Sequence, residues 1–165
     1  MRTLQALYAY NAWANARVFA VCRELDRDQL EARAPGTVGT LEATLKHTVS
    51  VEDAYAHMLQ NRTPIAGGER EAYFAHDIPW FAKRAEGLGR TYQDILARAE
   101  ASYFDAPLAV PWFDFALTKH DGLLQVLSHS AQHRAQVFSV LGERGLEVPD
   151  LDYVLYVESQ QGQAR

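Results

Sequence analysis

A single cysteine, Cys22, in 165 residues leaves no partner for an internal disulfide, so a reducing compartment suits the chain and its fold has to rest on packing. Cys22 falls among Val18, Val21 and Leu25, the setting of a small buried apolar residue rather than of a nucleophile. Excess positive charge is also missing: 16 Lys and Arg against 21 Asp and Glu give a net charge of -5, which offers no basic surface for nucleic acid or anionic lipid. Long apolar runs are absent as well. The N-terminal MRTLQALYAYNAWANARVFAV is interrupted by Gln5, Asn11, Asn15 and Arg17, unlike the continuous core of a signal peptide, and no later stretch approaches a membrane span. The expectation is a cytoplasmic protein without membrane or nucleic-acid partners. There is no P-loop, no G-x-G-x-x-G fingerprint and no G-x-S-x-G elbow, which sets aside the enzyme classes built on them.

What is present is ordinary for one globular domain spanning 1–165: hydrophobic residues at 48% and charged ones at 22% over a length sufficient for a real core. Helical periodicity dominates. The first helix is expected from about Thr3 to Leu25, with Leu4, Leu7, Tyr8, Val18, Cys22 and Leu25 on one face. After RAPGTVGT, Thr40 makes a good N-cap for a second helix, Leu41 to about Gln60. A polar loop with Pro64, Gly67 and Gly68 follows, and a third helix runs from Pro79 or Trp80 to Tyr103, where Gly87 and Gly89 leave room for a break. From Phe104 to Lys119 the run reads as irregular, with short extended pieces around Pro107 and Pro111. Asp121 is expected to open a fourth long helix that ends near Gly145, a suitable C-cap, and Pro149 and Asp150 to start a short terminal one. Four long helices with little strand signal predict an all-α protein, an antiparallel four-helix bundle with a short C-terminal helix.

The fourth helix carries LSHSAQHRAQVF, with His129 and His133 one turn apart. On its wheel Leu123, Leu124, Val126, Leu127, Val137, Phe138, Val140 and Leu141 form the apolar arc, His133 projects between Val126 and Val140, and His129 stands at the edge. His47 flanks the buried stripe of the second helix in the same way, near Val51, Ala54 and Met58. His57 falls on a polar face with Lys46 and Asp53, while His76 and His120 lie in loops. Residues at i and i+4 share a helix face, so both rings of such a pair reach one ion, and a third imidazole from a facing helix completes a usual transition-metal site. All-nitrogen donors favour zinc, nickel, cobalt, copper or iron over magnesium or calcium. The alternative is that these are boundary histidines bonded to carbonyls or water, with His47 unrelated. Ser130 occupies the place of the glutamate in H-E-x-x-H, so the pair is not a zinc-protease motif.

Three separated motifs, YNAWANARVF, TLKHTVSVEDAY and LSHSAQHRAQVFSVLGERG, together resemble the DinB-like family of metalloenzymes. The resemblance implies a four-helix bundle, frequent homodimers, and a divalent metal, zinc or nickel foremost, on His47, His129 and His133. It also implies activities that include thiol transfer with low-molecular-weight thiols, and the expected reaction joins such a thiol to a small-molecule electrophile; metal-assisted hydrolysis is the neighbouring reaction, and a non-catalytic metal-binding stress protein is the alternative. Gln132 and Ala135 stand where the family's commonest last motif has a histidine and a glycine; Gln132 projects away from the site face, and Ala135 bears on helix packing.

Asn11 and Asn15 fall inside the apolar stripe of the first helix, where an unpaired amide is costly, and Glu52 projects near Leu41, Leu45 and Leu59. A polar network joining them is expected, either fixing helix register or making Glu52 a general base or a partner of a ligand histidine. Trp13 projects away from its helix's main stripe, toward a dimer contact or a second packing surface. Tyr55, Trp80, Trp112 and Phe113 are candidates for a pocket wall or for core, and Arg134 for an ion pair with Glu52 or an acidic substrate.

Overall fold

The computed structural model describes residues 2–163 and is all-α apart from one two-stranded ribbon. Four long helices, α1 (Arg2–Cys22), α3 (Leu41–Leu59), α5 (Ile78–Arg98) and α7 (Lys119–Glu143), surround one core. Both α1 and α3 pack against α5 and against α7, so the four close into a ring. Short helices fill the connections: α2 (Arg27–Leu30), α4 (Gly68–Phe74), α6 (Ala101–Asp105) and the terminal α8 (Tyr153–Gln163). Strands β1 (Pro107–Leu108) and β2 (Leu117–Thr118) pair antiparallel, Pro107 opposite Thr118.

Caps decide where the helices begin. Thr40 accepts from the Ala43 amide at 3.0 Å, as its position predicts. Asp77 accepts from the Trp80 amide at 3.0 Å and pulls the start of α5 back to Ile78, with Pro79 in its first turn. Asp121 does not open α7. It is the third residue of a capping box in which its carboxylate takes the Thr118 amide at 2.8 Å while the Thr118 hydroxyl takes its own amide at 3.1 Å. His120 therefore lies on the first turn of α7 rather than in a loop. The same helix ends on Arg144, followed by Gly145 at φ 64°, the left-handed position that glycine adopts without strain. The first helix stops at Cys22, earlier than expected, because Asp26 and Gln29 form a reciprocal box that starts α2.

α5 is unbroken at its glycines and ends at Arg98 instead, where Ala99 is extended. Gly89 has a packing reason to lack a side chain: a Cβ there would stand 2.8 Å from that of Ala12, so α1 and α5 approach more closely than any larger residue allows. The core gathers Tyr8, Phe19, Leu41, Val49, Tyr55, Phe81, Leu88, Tyr92, Leu96, Leu123 and Val140. Its tyrosines also tie helices together: Tyr8 stacks on Tyr92 with centroids 4.5 Å apart, its hydroxyl donates to the Leu123 carbonyl at 2.8 Å, and that of Tyr92 donates to the Glu52 carbonyl at 2.7 Å.

Several expected faces are corrected. Leu7 and Leu124 are exposed although the wheels put them on apolar arcs. Asp53 is buried rather than on a polar face, held by the Arg84 guanidinium at 2.8 and 2.5 Å. Trp13 packs against Tyr10 and against Tyr156 of α8, so its second packing surface is the terminal helix. Tyr55 is core, whereas Trp112 and Phe113 are exposed on the loop between the strands. No described helix is long and apolar enough to cross a membrane.

Candidate metal centre

His47, His129 and His133 meet between α3 and α7, each offering one ring nitrogen, with these atoms all within 4.8 Å of one another. The converging atoms include the Nε2 of His129, 3.1 Å from His47 Nε2 and 3.0 Å from His133 Nε2. A tetrahedral zinc site with bonds near 2.05 Å has nitrogen–nitrogen edges of roughly 3.3 Å, so the spacing needs little adjustment to receive an ion. His133 is buried, while His47 and His129 are half-buried. The remaining histidines stay apart: His57 faces the Thr63 carbonyl at 3.1 Å, His76 stacks on Trp80, and His120 is exposed.

A ligand imidazole has to be neutral, and the surroundings make two of them so. Burial, then His133 and His47 beside it, pulls His129 down to about 4. Burial again, then His133 and the Arg70 guanidinium, lowers His47. In the unfolded chain an imidazole titrates near 6.5, so as pH falls the unfolded state takes up its proton first and folding loses free energy. The metal-free protein is expected to be most stable above about 6.5 and to weaken as pH drops toward 4. Urea midpoints measured across that window are expected to fall, and His129→Asn to flatten part of the slope; an identical slope in the variant would assign it to other groups.

Gln136, one turn beyond His133, was not singled out by the sequence, although a glutamine at i+3 from a candidate ligand is a readable signal. Its Oε1 lies 2.6 Å from His133 Nδ1, and its Nε2 donates to the Gly36 carbonyl at 2.7 Å. An amide oxygen accepts only, so it places the His133 proton on Nδ1 and leaves the Nε2 lone pair facing the other rings. Nδ1 of His129 is buried without a partner among the described residues. Gln136→Ala is expected to weaken metal binding about 10–100-fold while the fold survives, measured by competition with a chromophoric chelator. Unaltered affinity would show that Gln136 does not orient its ligand.

The asparagine–glutamate network forms, with two further members. Oε1 of Glu52 accepts from Asn11 Nδ2 and Asn15 Nδ2, both at 3.0 Å, and from the Ser130 hydroxyl at 2.6 Å. Nη1 of Arg134 donates to the two asparagine oxygens at 2.6 and 2.8 Å. Arg134 therefore meets Glu52 through two amides rather than directly. All five side chains belong to buried residues; burial pulls the Arg134 guanidinium downward and the Glu52 charge opposes that pull. No hydrogen bond joins Glu52 to a candidate ligand among the described residues. It reaches the centre through Ser130, the residue after His129. Gln132 points outward as expected, and Ala135 is exposed, so it has no part in helix packing.

A model of the DinB family matches residues 1–165 of this chain. Among curated proteins none matches. The fold is similar to the crystal structure of a DinB-like protein from Bacillus cereus, with 16% identity, a TM-score of 0.70, and coverage of 91% of this chain and 96% of that one. It is also similar to the DinB-like protein YjoA of Bacillus subtilis, at 14% identity and a TM-score of 0.63 over 90% of this chain and 97% of that one.

Proposed function

The chain belongs to the DinB family, and on that premise we propose that His47, His129 and His133 hold one divalent transition metal, zinc or nickel, for attack by a low-molecular-weight thiol on a small-molecule electrophile. The observation that carries the reading is the convergence of three imidazoles from two helices, with His129 Nε2 3.0 and 3.1 Å from the other two Nε2 atoms. Three neutral donors add no negative charge, so the bound ion would lower the pKa of a coordinated thiol or water toward neutrality. The protein's own contribution is to keep His47 and His129 neutral by burial, to fix the His133 tautomer through Gln136, and to hold α7 against α3 through Ser130 and Glu52. In the transfer the thiol gives up its proton to solvent, a carbon–sulfur bond forms, and the leaving group departs with the electron pair of the bond it breaks. Glu52 serves as a positioning residue, since one oxygen already accepts three hydrogen bonds. Hydrolysis of a small substrate by the same centre is the neighbouring reaction.

Protein loaded with zinc or nickel and given cysteine, glutathione or coenzyme A with an activated aryl halide tests the reading. Turnover that saturates in both substrates, stops with a chelator and returns with metal supports it. Turnover of an activated ester without thiol would support hydrolysis instead, and one bound ion with neither activity would leave a metal-binding protein without catalysis.

A further inference from the structure

A cleft of about 490 Å³ lies where the end of α3 meets α5 and the start of α7. At a rise of about 1.5 Å per residue Leu59 stands about 18 Å along α3 from His47, and Lys119 about 15 Å along α7 from His129. The cleft therefore lies toward the other end of the bundle from the imidazoles and shares none of their residues.

The charged side chains that line it are mostly cations. Lys119 is only 6% exposed and lines the cleft, its ammonium 4.5 Å from the centroid of the Tyr103 ring. Among the described residues that ammonium has no hydrogen-bond acceptor and no carboxylate within 4.0 Å. The burial of Lys119 falls on its carbon stem, and the ammonium tip reaches the cleft with no partner but the Tyr103 ring among the described residues. Arg62, in the loop after α3, and Arg98, the last residue of α5, open onto the same cleft, and neither is in an ion pair among the described residues. Asp94 is the one acidic group among the lining side chains, so three cations face one anion there on a chain whose net charge is -5.

We propose that this cleft is a binding site for a small organic anion, one bearing a phosphate or carboxylate group. Lys119 supplies a point charge with no protein counter-ion, and Arg62 and Arg98 supply guanidinium forks that match the two or three oxygens of such a group. Leu59 and Ile95 give an apolar wall for its carbon skeleton, and the volume is that of ordinary small-molecule sites. The site does not depend on the metal.

Inorganic phosphate and succinate serve as probes, each titrated into the 15N-labelled full chain and followed by amide chemical shifts. The expected result is saturable shifts confined to 59–62, 91–98 and the residues around Lys119, from either probe. Lys119→Met, which keeps the stem, is expected to weaken binding about tenfold or more. If it fails to fold, the surface pair Arg62→Gln and Arg98→Gln carries the test with the same expected loss. Response to phosphate alone or to succinate alone identifies the preferred group and supports the site. The proposal is overturned by no saturable shift from either probe at about 20 mM, by shifts centred on His47, His129 and His133, or by binding unchanged in the variants.

Discussion

His133→Ala is expected to take bound metal from about one ion per chain to near none, with affinity lowered more than about a hundredfold, past the range seen when only an outer-shell partner is lost. His133 is the most buried of the three imidazoles and the one whose Nδ1 is held, by Gln136 at 2.6 Å. Its removal leaves His47 and His129, the second of which has an unpartnered Nδ1. Two imidazoles without a third seldom retain zinc against dialysis. Elemental analysis of untagged parent and variant, with circular dichroism to confirm the fold, makes the comparison. A parent that holds no metal after incubation with zinc or nickel and dialysis would end the metal reading, and a folded variant that keeps its ion would place the site elsewhere.

Glu52→Ala is expected to cost about 3–5 kcal/mol of folding stability, the range for breaking a buried charged network by removing one member. The change strands Asn11 Nδ2, Asn15 Nδ2 and the Ser130 hydroxyl together, and it leaves the Arg134 guanidinium buried without a compensating charge. Against the usual total of about 5–15 kcal/mol such a loss brings the chain close to unfolding. Glu52→Gln keeps an acceptor oxygen and is expected to cost about 1–3 kcal/mol. Urea unfolding at neutral pH reads both values; a loss below about 1 kcal/mol for the alanine variant would mean that water replaces the carboxylate. The glutamine variant also separates positioning from proton transfer. If it folds and binds metal normally yet loses turnover about a hundredfold or more, Glu52 is the base after all.

Local rules carried the sequence reading where a single helix decides the outcome. Thr40 caps, Gly145 terminates, and His129 and His133 share a face because backbone hydrogen bonding fixes 3.6 residues per turn wherever a helix forms. The same rules under-read the short elements. The Asp26–Gln29 box was present as residues but encloses one turn, and α4 starts at Gly68 after an N-cap, Gly67, that has no side chain to cap it. Gly87 and Gly89 misled about α5, since the penalty that propensity assigns to Gly89 is outweighed by a contact with Ala12 from another helix. Lys119 sat in a run that reads as irregular, and nothing local marks it as buried.

By itself, then, the sequence determined an all-α chain, its helix phases, the facing histidine pair, and a set of polar residues on apolar stripes that had to find partners. Only the tertiary structure decided which partners they found. His47 lies 82 residues from His129 and Ser130 lies 78 from Glu52, and Gln136 reaches back 100 residues to Gly36. Such contacts depend on which ridges of α3 and α7 interlock and at what register, a matter of the whole core's packing that no window of one helix contains.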